Sequence, residues 1–329
     1  MGEQSCGILT EELKKRLEDV RRLGRSSMAY SSLQDDLEEF RHPDFKGFLA
    51  FRRVWGRAYI LSNPVTDPKD YQKATDLFCR KFPFSVVCQA SQDYAKILEE
   101  KGFYVTGFGV ENILNLKNFQ VSWQVRSNLK RILSRLSNKG LKVEEATGSL
   151  RQLAEINASW LGIKQNKKEF RFLARPFVCN EEQDVRFFIL KDSTAVLGFC
   201  SWDPIYSPEG NGKVSSYVLQ HLRVNPQAPR GAADFLIINI LLLFQGQGYD
   251  KISLGLSPLY ERAAPSKKNN FIIELFLNMF SSGSRFYRFK TVGEHKDRYH
   301  PEKEHTYLAY SKRADIIGHF GLLRVNGFI

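Results

Sequence analysis

His221 and Arg223 stand two positions apart in Tyr217 to Val224, a run rich in β-formers. On a regular strand they share one face. A histidine near neutrality supplies a proton acceptor. An arginine at a strand end offers a planar, two-pronged clamp for phosphate. Such a pair could place a proton acceptor beside a bound anion. The other reading of His221 is a side chain that fills the strand. The next residues, Asn225-Pro226-Gln227-Ala228-Pro229-Arg230-Gly231, cannot prolong the strand, because proline donates no ladder hydrogen bond. An apolar run, Ala232 to Phe244, follows, with Asp234 in its first turn. Free N–H groups at a helix start make the Arg230–Gly231 loop a ready anion site. Asp234 either belongs to that site or caps the helix.

Gly246 and Gly248 stop this helix, and Lys251 to Leu256 reads as a second strand. The whole is a βαβ unit whose helix is apolar nearly all round, which predicts burial against a sheet. A second stretch bears on the same chemistry. From Ser122 to Lys139, Val125, Leu129, Ile132, Leu133 and Leu136 recur at helical spacing, and Arg126, Lys130, Arg131, Arg135 and Lys139 fill the remaining arc. No acidic residue lies between Asn118 and Val143, so these cations lack partners along the helix. The arc is either a solvated face or a phosphate-binding surface.

Arg223 with Asn-Pro-Gln-Ala-Pro-Arg-Gly-Ala-Ala-Asp-Phe-Leu after it, then Gly248-Tyr249 and Leu254-Gly-Leu-Ser-Pro-Leu259, resembles the synthase domain of bacterial phosphatidylglycerol lysyltransferases. Phe286-Tyr-Arg-Phe289-Lys290 and Asp297-Arg298-Tyr299 are similar to that family's Phe-Lys…Arg-Tyr-Leu ending. The resemblance implies an α/β fold of two fused GNAT-like lobes with mixed sheets. It also implies movement of an amino acid from aminoacyl-tRNA, a co-substrate and not a bound cofactor, to a lipid hydroxyl. Arg223 then matches the functional arginine, Lys290 the late lysine and Asp234 a family position, with Arg298 a further phosphate contact. Similar enzymes use an aspartate three residues before the arginine. Gln220 stands there instead, and because glutamine is no carboxylate base, His221 is left as the candidate. The coenzyme A signature is not met, since Gln227 has Arg230 and not glycine three residues on. A GNAT-type N-acyltransferase using acyl-CoA is the alternative, and a catalytically retired tRNA- or membrane-binding module the third reading.

A net charge of +12 over 329 residues points to an anionic partner, nucleic acid, an acidic membrane surface or both; the resemblance makes these charged tRNA and an anionic lipid. Five scattered cysteines without C-x-x-C spacing suit free thiols in a reducing cytoplasm. No histidine pair has metal-ligand spacing, and no apolar run is long enough to cross a bilayer, so the expected place is the cytoplasm or the inner face of the membrane. Element order divides the chain into an N-terminal helix and linker (1–29), a first lobe (30–118), the basic connecting helix (119–140), a second lobe (141–312) and an apolar tail (313–329). Docking of that tail on the core is the favoured reading over contact with a membrane.

Overall fold

The computed structural model describes residues 10–121, 123–146, 150–163, 169–264, 273–274, 277–278, 289–312 and 315–328, with backbone alone at 123–127. Helix α1 (Glu11–Leu23) starts at Thr10, whose side chain accepts from the Leu13 N–H, a standard N-cap. Strands β1 (Glu38–His42), β2 (Phe45–Val54) and β3 (Arg57–Leu61) are antiparallel neighbours. Helix α2 (Tyr71–Lys81) leads to β4 (Ser85–Ala90), parallel to β3, and α3 (Gln92–Glu100) leads to β5 (Tyr104–Asn115).

The basic helix is α4 (Trp123–Asn138). Leu129 and Leu136 are buried and Ile132 and Leu133 partly so, as the stripe requires. Then come β6 (Lys142–Glu145), α5 (Arg151–Gly162) and the antiparallel strands β7 (Arg186–Lys191), β8 (Val196–Tyr206) and β9 (Val214–Val224). Helix α6 (Ala232–Gly246) connects β9 to its parallel neighbour β10 (Lys251–Pro258), which completes the expected βαβ unit. The chain continues through α7 (Phe289–Asp297), β11 (Glu302–Tyr310) and α8 (Ile316–Val325).

Among the described residues eleven strands form one sheet, in the order β1-β2-β3-β4-β11-β5-β10-β9-β8-β7-β6. The fold class expected from the resemblance stands: two mixed α/β halves, each running from an antiparallel meander into a parallel β-α-β step. The sheet does not follow the division into 30–118 and 141–312. Strand β11, in the second segment of the chain, is hydrogen-bonded between β4 and β5 of the first, and β10 pairs with β5 across the middle. Helices α2 and α3 cover one face of the first half, and α4 and α6 cover the second. The opposite face carries α1, α8 and α5. The tail docks as favoured, through buried Leu322 and Val325. Phe286, Tyr287 and Arg288, with Lys164 to Lys168, lie outside the described residues.

Candidate functional site

Alternation along β9 decides which residues meet. Tyr217 stacks on Phe244 of α6, ring centroids 5.1 Å apart, and continued alternation would put Leu219, His221 and Arg223 on that same face. The register with β8 shifts: Ser201 faces His221 while Trp202 faces Leu219. Gln220 is the extra residue of a β-bulge. Beyond it the sides exchange. Leu222 and Val224 pack under α6, and His221 and Arg223 turn together to the α5 face.

The expected pair therefore faces away from α6. His221 is 2% exposed, with Nδ1 2.7 Å from the Ser201 hydroxyl and Nε2 2.8 Å from the Arg175 carbonyl. A carbonyl only accepts, so Nε2 carries the proton and Nδ1 accepts from Ser201. Burial, with Arg223 and Arg175 adding like charge, holds the imidazole well below its usual range. It is neutral, but both nitrogens are engaged and no substrate reaches them. Gln220 donates to the same Arg175 carbonyl at 3.2 Å. Arg223 stacks on Trp160 at 3.7 Å, bonds Asn157 and pairs with Glu169 at 3.1 Å. Lys290, also expected in the catalytic set, is 81% exposed beside Glu294 and does not line the cleft at the start of α6.

The phosphate-binding candidates converge instead on the α6 face. A cleft of about 710 Å³ is lined by Asn128, Arg131, Ile132 and Arg135 of α4, by Arg230 and Gly231, and by Ala233, Asp234, His295 and Arg298. Gly231 caps α6 with φ +90°, a conformation that disfavours any side chain. A Cβ there would also press on Ile132 at 3.1 Å, so glycine lets α4 approach the helix start. Arg135 donates to the Arg230 carbonyl and holds the loop against α4. Lys130 and Lys139 do not line the cleft, and the side chain of Arg126 lies outside the described residues.

Asp234 turns its carboxylate to side chains at the end of the following helix, α7. It is 4% exposed and accepts from Tyr299 at 2.7 Å and Arg298 at 2.9 Å, with His295 Nε2 3.8 Å away. His295 is the residue that sequence spacing missed. Burial pushes it below its ordinary value, Asp234 pulls it back and Arg298 and Lys296 oppose protonation, so it is neutral at pH 7. Only the fold brings α7 against α6; the two residues are sixty-one positions apart. Lys296, equally unsignalled, is buried, donates to the Leu256 carbonyl at 2.8 Å, and is pushed down to about 7 by burial, with Glu111 opposing.

Four arginines, a helix N-terminus and a neutral histidine beside a carboxylate suit an anionic ligand. Among the described residues, no group of three or more His, Cys, Asp or Glu is placed to hold a metal. No helix there is long and apolar enough to cross a membrane.

The fold is a mixed α/β sheet with an arginine-lined cleft at the start of α6. The family described as phosphatidylglycerol lysyltransferase, C-terminal, matches residues 18–310, and the chain belongs to it. It is 20% identical over 314 residues to a phosphatidylglycerol lysyltransferase of Staphylococcus aureus, covering 92% of this chain and 36% of the relative. The chain thus spans about a third of the length of that curated relative. A solved L-PGS structure from Bacillus licheniformis superposes with TM-score 0.81 at 22% identity, covering 95% of this chain and 96% of that one. The C-terminal domain of a putative lysylphosphatidylglycerol synthetase from Agrobacterium fabrum gives 0.79 at 21%, covering 97% and 98%.

Proposed function

We propose that the chain is an aminoacyl-tRNA-dependent transferase that moves an amino acid to a hydroxyl of a phosphatidylglycerol-like lipid. The observation that carries this reading is the meeting of Arg131, Arg135, Arg230 and Arg298 around Asp234 and His295 at the start of α6. The arginines hold phosphates of the donor's acceptor end or of the lipid headgroup. His295, polarised by Asp234, takes the proton of the lipid hydroxyl as that oxygen attacks the aminoacyl ester carbonyl. The ester to the tRNA ribose breaks as the new ester forms, and the proton passes to the departing ribose oxygen. One ester replaces another, so no cofactor or energy source enters.

The same cleft suits the diphosphate of acyl-CoA, which keeps that alternative worth one arm of the test. Purified chain is mixed with phosphatidylglycerol vesicles and either labelled aminoacyl-tRNA or labelled acetyl-CoA, and label is counted in the lipid extract. Transfer from tRNA, lost in His295→Ala, supports the reading. Binding of acyl-CoA with no transfer from tRNA overturns it. Binding of tRNA without transfer to any lipid leaves a binding module.

A further inference from the structure

Among the described residues nine large hydrophobic side chains are exposed, and five belong to one rim: Trp55 (54%), Phe84 (43%), Ile316 (54%), Ile317 (49%) and Phe320 (49%). Strand direction explains the gathering. β2 ends, β3 and β4 begin, and β11 ends at one edge of the sheet, so the Trp55 turn, Phe84 and the start of α8 crowd together. Their contacts are continuous. Arg57 donates to the Trp55 carbonyl, lies 5.4 Å over the Phe84 ring and pairs with Asp315 at 2.8 Å. Lys312 lies 5.3 Å over the same ring.

Two details make this rim more than scattered apolar surface. Trp55 and Gly56 form the two-residue turn between β2 and β3, and both have positive φ, 49° and 72°. Asparagine or aspartate suits the first position of such a turn, whereas a bulky residue there is strained. A tryptophan is thus held outward at a conformational cost. The only carboxylate at the start of α8, Asp315, is 4% exposed, paired with Arg57 and capping the helix through the Gly318 N–H. Arg53, Arg80, Lys81 and Lys312 are the exposed cations beside the rim, and Glu38, paired with Arg53 at 2.8 Å, is a partly exposed carboxylate there. Tryptophan, phenylalanine and isoleucine ringed by lysine and arginine match an anionic bilayer surface, where aromatic rings sit at headgroup level and cations meet lipid phosphates.

We infer that the rim of Trp55, Phe84, Ile316, Ile317 and Phe320 docks the protein on the surface of an anionic lipid bilayer. Strand β9, which leads into the cleft loop, ends on the same side of the sheet as β2. The inference deepens the transfer reading, yet vesicle binding needs no donor, so the two fail separately.

The test is sedimentation of the chain with vesicles of phosphatidylglycerol and phosphatidylcholine, or of phosphatidylcholine alone, at low and high salt. The reference binds the anionic vesicles, retains part of that binding at high salt, and its Trp55 fluorescence is quenched by brominated acyl chains. Trp55→Ser with Ile316→Glu and Ile317→Glu loses about tenfold or more in vesicle affinity, with thermal unfolding unchanged because these side chains are already exposed. Arg131→Glu with Arg135→Glu, in the cleft, keeps the salt-resistant part and the quenching. Equal binding by the rim variant, or full loss of reference binding in salt without quenching, overturns the inference. So does a dimer in solution that the rim variant dissolves, since the occupant is then a second copy.

Discussion

The two faces of β9 treat arginine in opposite ways. Toward α6, four arginines share a solvated cleft with one lining carboxylate, Asp234. Toward α5, Arg175 is 4% exposed and pairs with Asp203 and Glu182, both at 2.6 Å, while Arg223 pairs with Glu169. Cations that have their own carboxylates hold the structure. Those gathered at the helix start outnumber the one carboxylate that lines the cleft with them. Distance from the family motif does not separate the two groups; local neutralisation does.

The sharpest break is Arg175→Met. It strands Asp203 and Glu182 in the core, and a buried ionic cluster missing one partner loses about 3–5 kcal/mol. Urea unfolding checks this, and a loss below about 1 kcal/mol would mean that the face is not built on that network. Substituting the cleft triad Arg131, Arg135 and Arg230 with alanine is expected to leave unfolding nearly unchanged. It should weaken tRNA binding on the order of 10²-fold and lower the salt slope by about three, as read from binding isotherms at several salt concentrations. Unchanged affinity would make both faces structural.

Gln220→Asp sharpens the contrast at the bulge. A carboxylate cannot donate to the Arg175 carbonyl, so stability should fall by about 1–3 kcal/mol with no gain of transfer in the lipid assay. A gain would restore position 220 to the chemistry. The smallest effect concerns pH. His221 is neutral in the fold and held well below its ordinary value, so below about pH 6.5 the unfolded chain binds the extra proton. Its contribution is present above that pH and lost as pH falls. His221→Gln should flatten the dependence of unfolding free energy between about pH 6.5 and 5 by up to about 1.4 kcal/mol per pH unit.

Much of this was legible from periodicity. The α6 unit, the α4 stripe and the Arg230–Gly231 loop follow from residue order alone, because each depends on contacts within one turn or on backbone chemistry. The face of Arg223 was not legible, since one inserted residue at Gln220 reverses the alternation and only pairing with β8 reveals it. The carboxylate that neutralises Arg223 is Glu169, fifty-four residues away. His295 carries no sequence signal, because nothing near it in the chain shows Asp234 as its neighbour. Strand β1, Glu-Glu-Phe-Arg-His, has only one buried side chain, Phe40, and so little alternating signal.

The position of β11 has a consequence for synthesis on the ribosome. Strands β4 and β5 are made two hundred residues before β11, yet each bonds to it along its length and not to the other. Until residues 302–310 emerge, the nascent chain carries two open strand edges in the middle of its future sheet. Such edges invite pairing with other chains, and closure waits for a contact of very long sequence separation, which slows folding. The protein therefore completes its first half last, and a chaperone that shields β4 and β5 would act on the nascent chain before that final strand arrives.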